Sequence, residues 1–238
     1  LLAHVTVGSG AQLYVAASNV SIVGNGGWTR NAATQTGITE LRSAVNNQTV
    51  LQIGGSGTGT LQGVLIQDLR IPVISTGTPV VQIYGPSGDN AAATNRMVNV
   101  SIYGDITGRT GTGLQVEDQA FGWEFTHIHL EGYETGVLLR GRNGQTVFYG
   151  GDFIRNQRAI VIGDDSVATY THGVEIIGAD IENNSVSGID ITGRSRSIHL
   201  RNIYAETSTT ASSVFMRIGN GAVTPENVSI DGLFVSGV

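Results

Sequence analysis

The 238-residue sequence predicts an all-β fold: a right-handed parallel β-helix of three sheets and about eight coils, as one domain over residues 1–238. Three observations carry the prediction. A five-residue pattern recurs, running apolar, any, apolar, any, then a small or polar corner. Further short strands flank most copies, so a whole three-strand block repeats. Gly is abundant, 34 residues against 4 Pro, which suits many tight turns between many short strands.

The first copies are Val20-Ser21-Ile22-Val23-Gly24, Val64-Leu65-Ile66-Gln67-Asp68 and Val100-Ser101-Ile102-Tyr103-Gly104. Then come Trp123-Glu124-Phe125-Thr126-His127 and Val147-Phe148-Tyr149-Gly150-Gly151. The last are Val174-Glu175-Ile176-Ile177-Gly178, Ile198-His199-Leu200-Arg201-Asn202 and Val228-Ser229-Ile230-Asp231-Gly232. From Val64 onward they lie 23 to 36 residues apart. After the corner most carry a second apolar pair, such as Ile128 and Leu130 or Ala179 and Ile181. Ahead of the later copies stands another strand: Leu114–Val116, Val137–Leu139, Ile160–Ile162, Ile189–Ile191 and Met216–Ile218. Alternation this short gives strands, and no stretch shows a period of 3.6. A β-sandwich also spaces strands closely, but it does not repeat a three-strand block.

Composition narrows the function classes. Hydrophobic residues make up 40%, enough for a long core, while charged residues are 13%, about half the usual share. A net charge of −6 argues against non-specific nucleic-acid binding, so no nucleic acid is expected as partner. With no Cys, neither a disulfide framework nor a Cys-based zinc site can form. No apolar run is long enough to span a bilayer, and no membrane insertion is expected. The chain opens at Leu1-Leu2-Ala3-His4 without an initiator Met and ends at Val238 after a strand-like run, as a segment of a longer protein would.

The repeat resembles that of the pectin-lyase-like right-handed β-helices, and Val20–Trp28 is similar to the early coil of the lyase-like domains of phage tailspikes. The resemblance covers nearly the whole chain but lies in the coil pattern. It implies a protein of the virion tail or extracellular space that binds bacterial surface polysaccharide, with depolymerisation as the finer expectation. It also implies a homotrimer attached to tail or baseplate proteins. Two alternatives stand beside it: a non-catalytic adhesive or structural β-helix, and a free bacterial polysaccharide lyase.

Aligned positions of stacked coils become outward columns, because coils repeat at about 4.8 Å. After the corner one column reads Arg70, His129, Phe153, Asp180, Tyr204, Phe234. The next reads Pro72, Glu131, Arg155, Glu182, Glu206, Ser236, and on the preceding strand Glu124, Phe148, Glu175, His199, Ser229. A one-residue slip would turn any of these inward. Asp180, Glu182 and Glu206 are the candidate catalytic carboxylates, because glycoside hydrolysis needs one carboxyl as acid and another as base or nucleophile. His129, Arg155 and Tyr204 are candidate substrate contacts, the aromatic face suiting a sugar ring. The same residues also fit a surface ladder of solvated charge.

Asp164 and Asp165, with Thr171-His172-Gly173, resemble fragments of the polygalacturonase pattern, but its Asn-Thr-Asp and Arg-Ile-Lys motifs are absent here. The two aspartates stay as candidate substrate contacts or a capped polar turn. His127 and His129 lack an evident third ligand, and His127 is placed at a corner, so neither a metal nor a cofactor is expected. Asn156, Asn183 and Asn184 fall at one recurrent turn, as an internal Asn ladder would.

Overall fold

The computed structural model describes residues 4–8, 11–25, 38–55, 61–74, 77–85, 94–164, 169–206, 213–219 and 223–236. Every regular element among them is a strand, and every strand pair is parallel. Each coil contributes three strands, which stack on their counterparts into three faces. The first face, ahead of the corner, includes Trp123–Thr126, Gly144–Tyr149 and Thr171–Ile177. The second, after the corner, includes His129–Glu131, Asp152–Ile154 and Asp180–Glu182. The third is an 8-stranded sheet that includes Thr112–Glu117, Thr135–Arg140, Arg158–Ile162 and Ser187–Ile191. In hydrogen bonding, the first two faces form a single 15-stranded sheet, not two, because Ser195–Glu206 and Glu226–Ser236 each run through the corner. This architecture is the right-handed parallel β-helix that the repeat predicts.

A column of residues in the left-handed conformation makes the corner between the first two faces. Asp68, Asn99, His127, Gly150, Gly178, Asn202 and Gly232 all have φ between 49° and 70°. Gly reaches that region without a Cβ clash, and Asn, Asp and His tolerate it better than other residues. From Asp68 to Gly178 each corner N–H donates to a carbonyl of the next coil, as His127 does to Tyr149 (2.9 Å) and Gly150 to Ile177 (2.8 Å). His127 thus stands at the corner the sequence assigned to it.

Inside, the coils form continuous apolar ladders. Ile176 is level with Leu200, and Leu200 with Ile230. The first two are fully buried, whereas Ile230 is 42% exposed because no described coil covers it. A second internal ladder is polar. Asn156 Oδ1 accepts from the Tyr133 N–H (3.0 Å), Asn184 Oδ1 accepts from the Asn156 N–H (2.9 Å), and both side-chain amides donate to carbonyls of the coil before. Buried backbone groups at the turn thereby keep partners. Asn183 is exposed and takes the left-handed bend itself (φ 54°).

Two of the eight repeat copies are shifted from the sequence reading. In the fifth, Thr146 and Phe148 point inward and Val147 and Tyr149 outward. Phe148 stacks on Phe125 with ring centroids 4.6 Å apart, so the larger aromatic takes the core side of an all-apolar run. Phe148 and Phe153, assigned outward from sequence, are both fully buried. In the third, Val100 and Ile102 follow the corner at Asn99, and Asn95–Val98 is the true strand ahead of it.

Leu200→Ala should cost about 3 kcal/mol, the range for a fully buried leucine leaving a cavity. Ile230→Ala should cost under half of that, since the side chain is already partly in water. Denaturant titration of both variants checks the pair, and equal costs would contradict the end-of-solenoid placement.

Candidate functional site

On the second face, one outward column runs Glu40, Arg70, Ser101, His129, Asp152, Asp180, Tyr204, Phe234. The next runs Pro72, Tyr103, Glu131, Ile154, Glu182, Glu206, Ser236. Asp180, Glu182 and Glu206 therefore share one outward face on adjoining coils. Glu182 and Glu206 are register neighbours, spaced about 4.8 Å in the backbone, and Asp180 and Glu182 are about 6.5–7 Å apart along one strand. Tyr204 sits level with Asp180 and is 41% exposed.

Arg155 is displaced from its expected place. Ile154 holds that level, and Arg155 makes the bend after it with φ 52°. Its guanidinium nevertheless returns to Glu131 at 2.7 Å. Asp152, which the shifted register concealed, takes the place given to Phe153. The double glycine Gly150-Gly151, both at positive φ, makes the corner at Gly150 and moves every later residue of that coil by one.

His129 lies between two carboxylates. Nε2 is 3.1 Å from Glu131 Oε2 and Nδ1 is 3.5 Å from Asp152 Oδ2. The Tyr103 ring covers it at 4.9 Å, with the Arg70 guanidinium in turn over Tyr103 at 4.9 Å. Although on the outward side of the sheet, the His129 side chain is fully enclosed, so it acts on a ligand only through the carboxylates beside it. Burial alone would lower its pKa. The hydrogen bonds to Asp152 and Glu131 outweigh burial and hold the ring above its ordinary value. Arg70 also pairs with Glu40, which holds Arg42, so the buried charge network runs on toward the N-terminal coils.

Asp164 belongs elsewhere. It follows a strand of the third face and pairs with Arg140 at 3.6 Å. Arg140 also holds Glu117 at 2.7 Å, and Glu117 takes hydrogen bonds from Gln82 and Tyr84. Burial and then the bond to Glu117 push the Tyr84 hydroxyl up to about 12. Asp165 and Trp28 lie outside the described residues. No group of three potential metal ligands is found among the described residues. Sequence reasoning missed Glu40, Tyr103 and Asp152; alternation counted from the corner glycine would have found Asp152.

The sequence matches no protein-family model and no curated protein. Among solved structures, the A-module of the Azotobacter vinelandii mannuronan C-5 epimerase AlgE4 is similar over 100% of this chain and 79% of its own. That likeness has a TM-score of 0.55 at 14% identity and shows the fold. The enzymatically active domain of bacteriophage CBA120 tailspike protein 2 aligns over 100% of this chain and 38% of its own, with a TM-score of 0.49 at 14% identity.

The His129 network sets a pH dependence. A His pKa raised by folding stabilises the protein fully below the unfolded value of about 6.5, and that contribution is lost as pH rises through the folded pKa. Stability should therefore fall as pH rises above about 6.5, and His129→Gln should remove that slope. His129→Ala should cost about 3 kcal/mol at pH 6, since it takes the shared imidazolium away from two buried carboxylates. Thermal melts across pH 5–9 read both effects.

Proposed function

We propose that this β-helix binds a bacterial surface polysaccharide along its second face, and that Asp180, Glu182 and Glu206 cleave it. The observation that carries this reading is the gathering of the three carboxylates on one outward face, half-buried, next to exposed Tyr204 and in line with Phe234. One carboxyl donates a proton to the leaving glycosidic oxygen while another activates water or attacks the sugar carbon. Tyr204 offers a ring face for a sugar, and Arg155 balances charge at Glu131. The fold itself implies no chemistry. The epimerase it resembles acts on a polysaccharide, mannuronan, as its name states. A tailspike-like homotrimer attached to a virion tail, or an extracellular protein, is the setting that fits such an activity. The closest second reading is an adhesin without turnover. It is favoured by Glu131 and Asp152, whose contacts with His129 and Arg155 make that half of the face a closed charge network.

Incubation with host capsule or O-antigen separates the readings. Release of reducing ends supports hydrolysis, products absorbing in the ultraviolet indicate a lyase, and binding without release indicates the adhesin. Asp180→Asn, Glu182→Gln and Glu206→Gln keep shape while removing the proton donor or base. Loss of about 10²–10⁴-fold in rate is expected where the residue is the general acid or base. Undiminished cleavage by all three variants would remove this site.

The same assay tests the aromatic platform. Tyr204→Ala should weaken polysaccharide binding by about tenfold, equivalent to roughly 1.4 kcal/mol of lost stacking, while leaving the melting temperature nearly unchanged because the ring is already exposed. Isothermal calorimetry with the cleaved oligosaccharide reads the change.

A further inference from the structure

Most arginines of this acidic chain are neutralised by carboxylates, as Arg140 is by Glu117, Arg155 by Glu131 and Arg201 by Glu175. Arg194 and Arg196 have no carboxylate partner among the described residues. They stand where the first face begins, on the strand that later carries Glu206 and on the turn just before it. Register places Phe121, Gly144, His172 and Arg196 in one column across successive coils. Tyr170 and Arg194 immediately precede the paired Thr171 and Ser195, and the Thr171 N–H donates to the Arg194 carbonyl (3.0 Å).

The side chains of this patch are packed against each other. Gly144 has no side chain, and a Cβ there would meet His172 Cε1 at 2.6 Å, so the His172 ring lies over it toward Phe121, 5.7 Å between centroids. The Arg196 guanidinium reaches back over the Tyr170 ring at 5.4 Å. Burial first, then the charges of Arg196 and Arg142, hold His172 below its ordinary pKa, which reports a positive local field. Among the described residues, acidic neighbours include Glu226, level with Arg196 on the last coil, and Asp118, against Gly141.

We propose that Arg194 and Arg196, with Tyr170, His172 and Phe121, form a second ligand site that binds an anionic sugar group, a carboxylate or phosphate carried by a glycan. Guanidinium forks match both anions in bidentate geometry, and the aromatic faces accept the apolar side of a sugar ring. The patch spans about 14 Å over four coils, the size of two or three sugar units and too short for a nucleic-acid backbone track. It lies on the first face, across the Asn202 corner from Asp180, Glu182 and Glu206, so a bound anion is set apart from carboxylates that would repel it. The inference rests on the reading of the chain as a polysaccharide binder, but it assigns a site that needs no cleavage.

The test follows the His172 ring by NMR through a pH titration of the full chain, alone and with glucuronate, inorganic phosphate or glucose. Glucuronate, phosphate or both should raise the His172 midpoint by about half a unit to one unit, and glucose should not. A response to glucuronate alone assigns a sugar carboxylate, and to phosphate alone a phosphorylated sugar. Arg194→Gln with Arg196→Gln should abolish the response, while Arg201→Gln, which lies elsewhere on the first face, should preserve it. No shift with either anion, or an equal shift at His199, would overturn the proposal. So would a short DNA duplex that binds through Arg194 and Arg196 where the sugar anions do not. The readout is independent of turnover, so inactivity of the carboxylate face leaves it intact, and its own failure leaves the cleavage reading standing.

Discussion

Coil-to-coil registration through the left-handed corner is the constraint on which the rest of the structure depends. In a parallel stack, each strand pairs with its counterpart one coil away, and one residue at positive φ decides where the chain turns. Side chains alternate with period two, so moving that residue by one position exchanges the core for the solvent side along the whole following strand. Gly, Asn and Asp at the corner keep this conformation low in strain, and from Asp68 to Gly178 the inter-coil hydrogen bond from each corner N–H fixes its level. Ladders such as Ile176–Leu200 and Asn156–Asn184 then follow from stacking.

The same registration creates the chemistry of the outward faces. Residues distant in sequence arrive about 4.8 Å apart, so single polar residues from successive repeats combine into a continuous surface. On the second face this stacks Glu131 and Asp152 about one histidine and places Asp180, Glu182 and Glu206 beside them. Burying charge is costly unless each group is paired, and here Arg155 adds a second partner for Glu131 while Arg70 pairs with Glu40.

The strand Ser195–Glu206 joins two electrostatic surfaces of opposite sign. Its start presents Arg194 and Arg196, which have no carboxylate partner among the described residues, and its end presents Glu206 among other carboxylates, with the Asn202 bend directing them to different faces. A solenoid can hold such opposed surfaces because each face is built by separate strands.

The sequence by itself determined the repeat, the parallel stack and the core ladders, because alternation and turn residues are local and each coil restates them. It also brought Asp180, Glu182, Glu206 and Tyr204 onto one face, since Gly178 and Asn202 mark their corners without ambiguity. Where a run was apolar at every position, as at Val147–Tyr149, local pattern gave no direction, and tertiary packing of Phe148 on Phe125 decided it. That choice, with the double glycine after it, exchanged Phe153 for Asp152 on the outer surface and so created the cradle of His129. Partnership was likewise invisible in sequence: Asp164 joins Arg140 and not the carboxylate face, because strands of different faces diverge at the turns. Local preference fixes which residues can turn the chain, but only the packed stack decides which side of each strand the core takes.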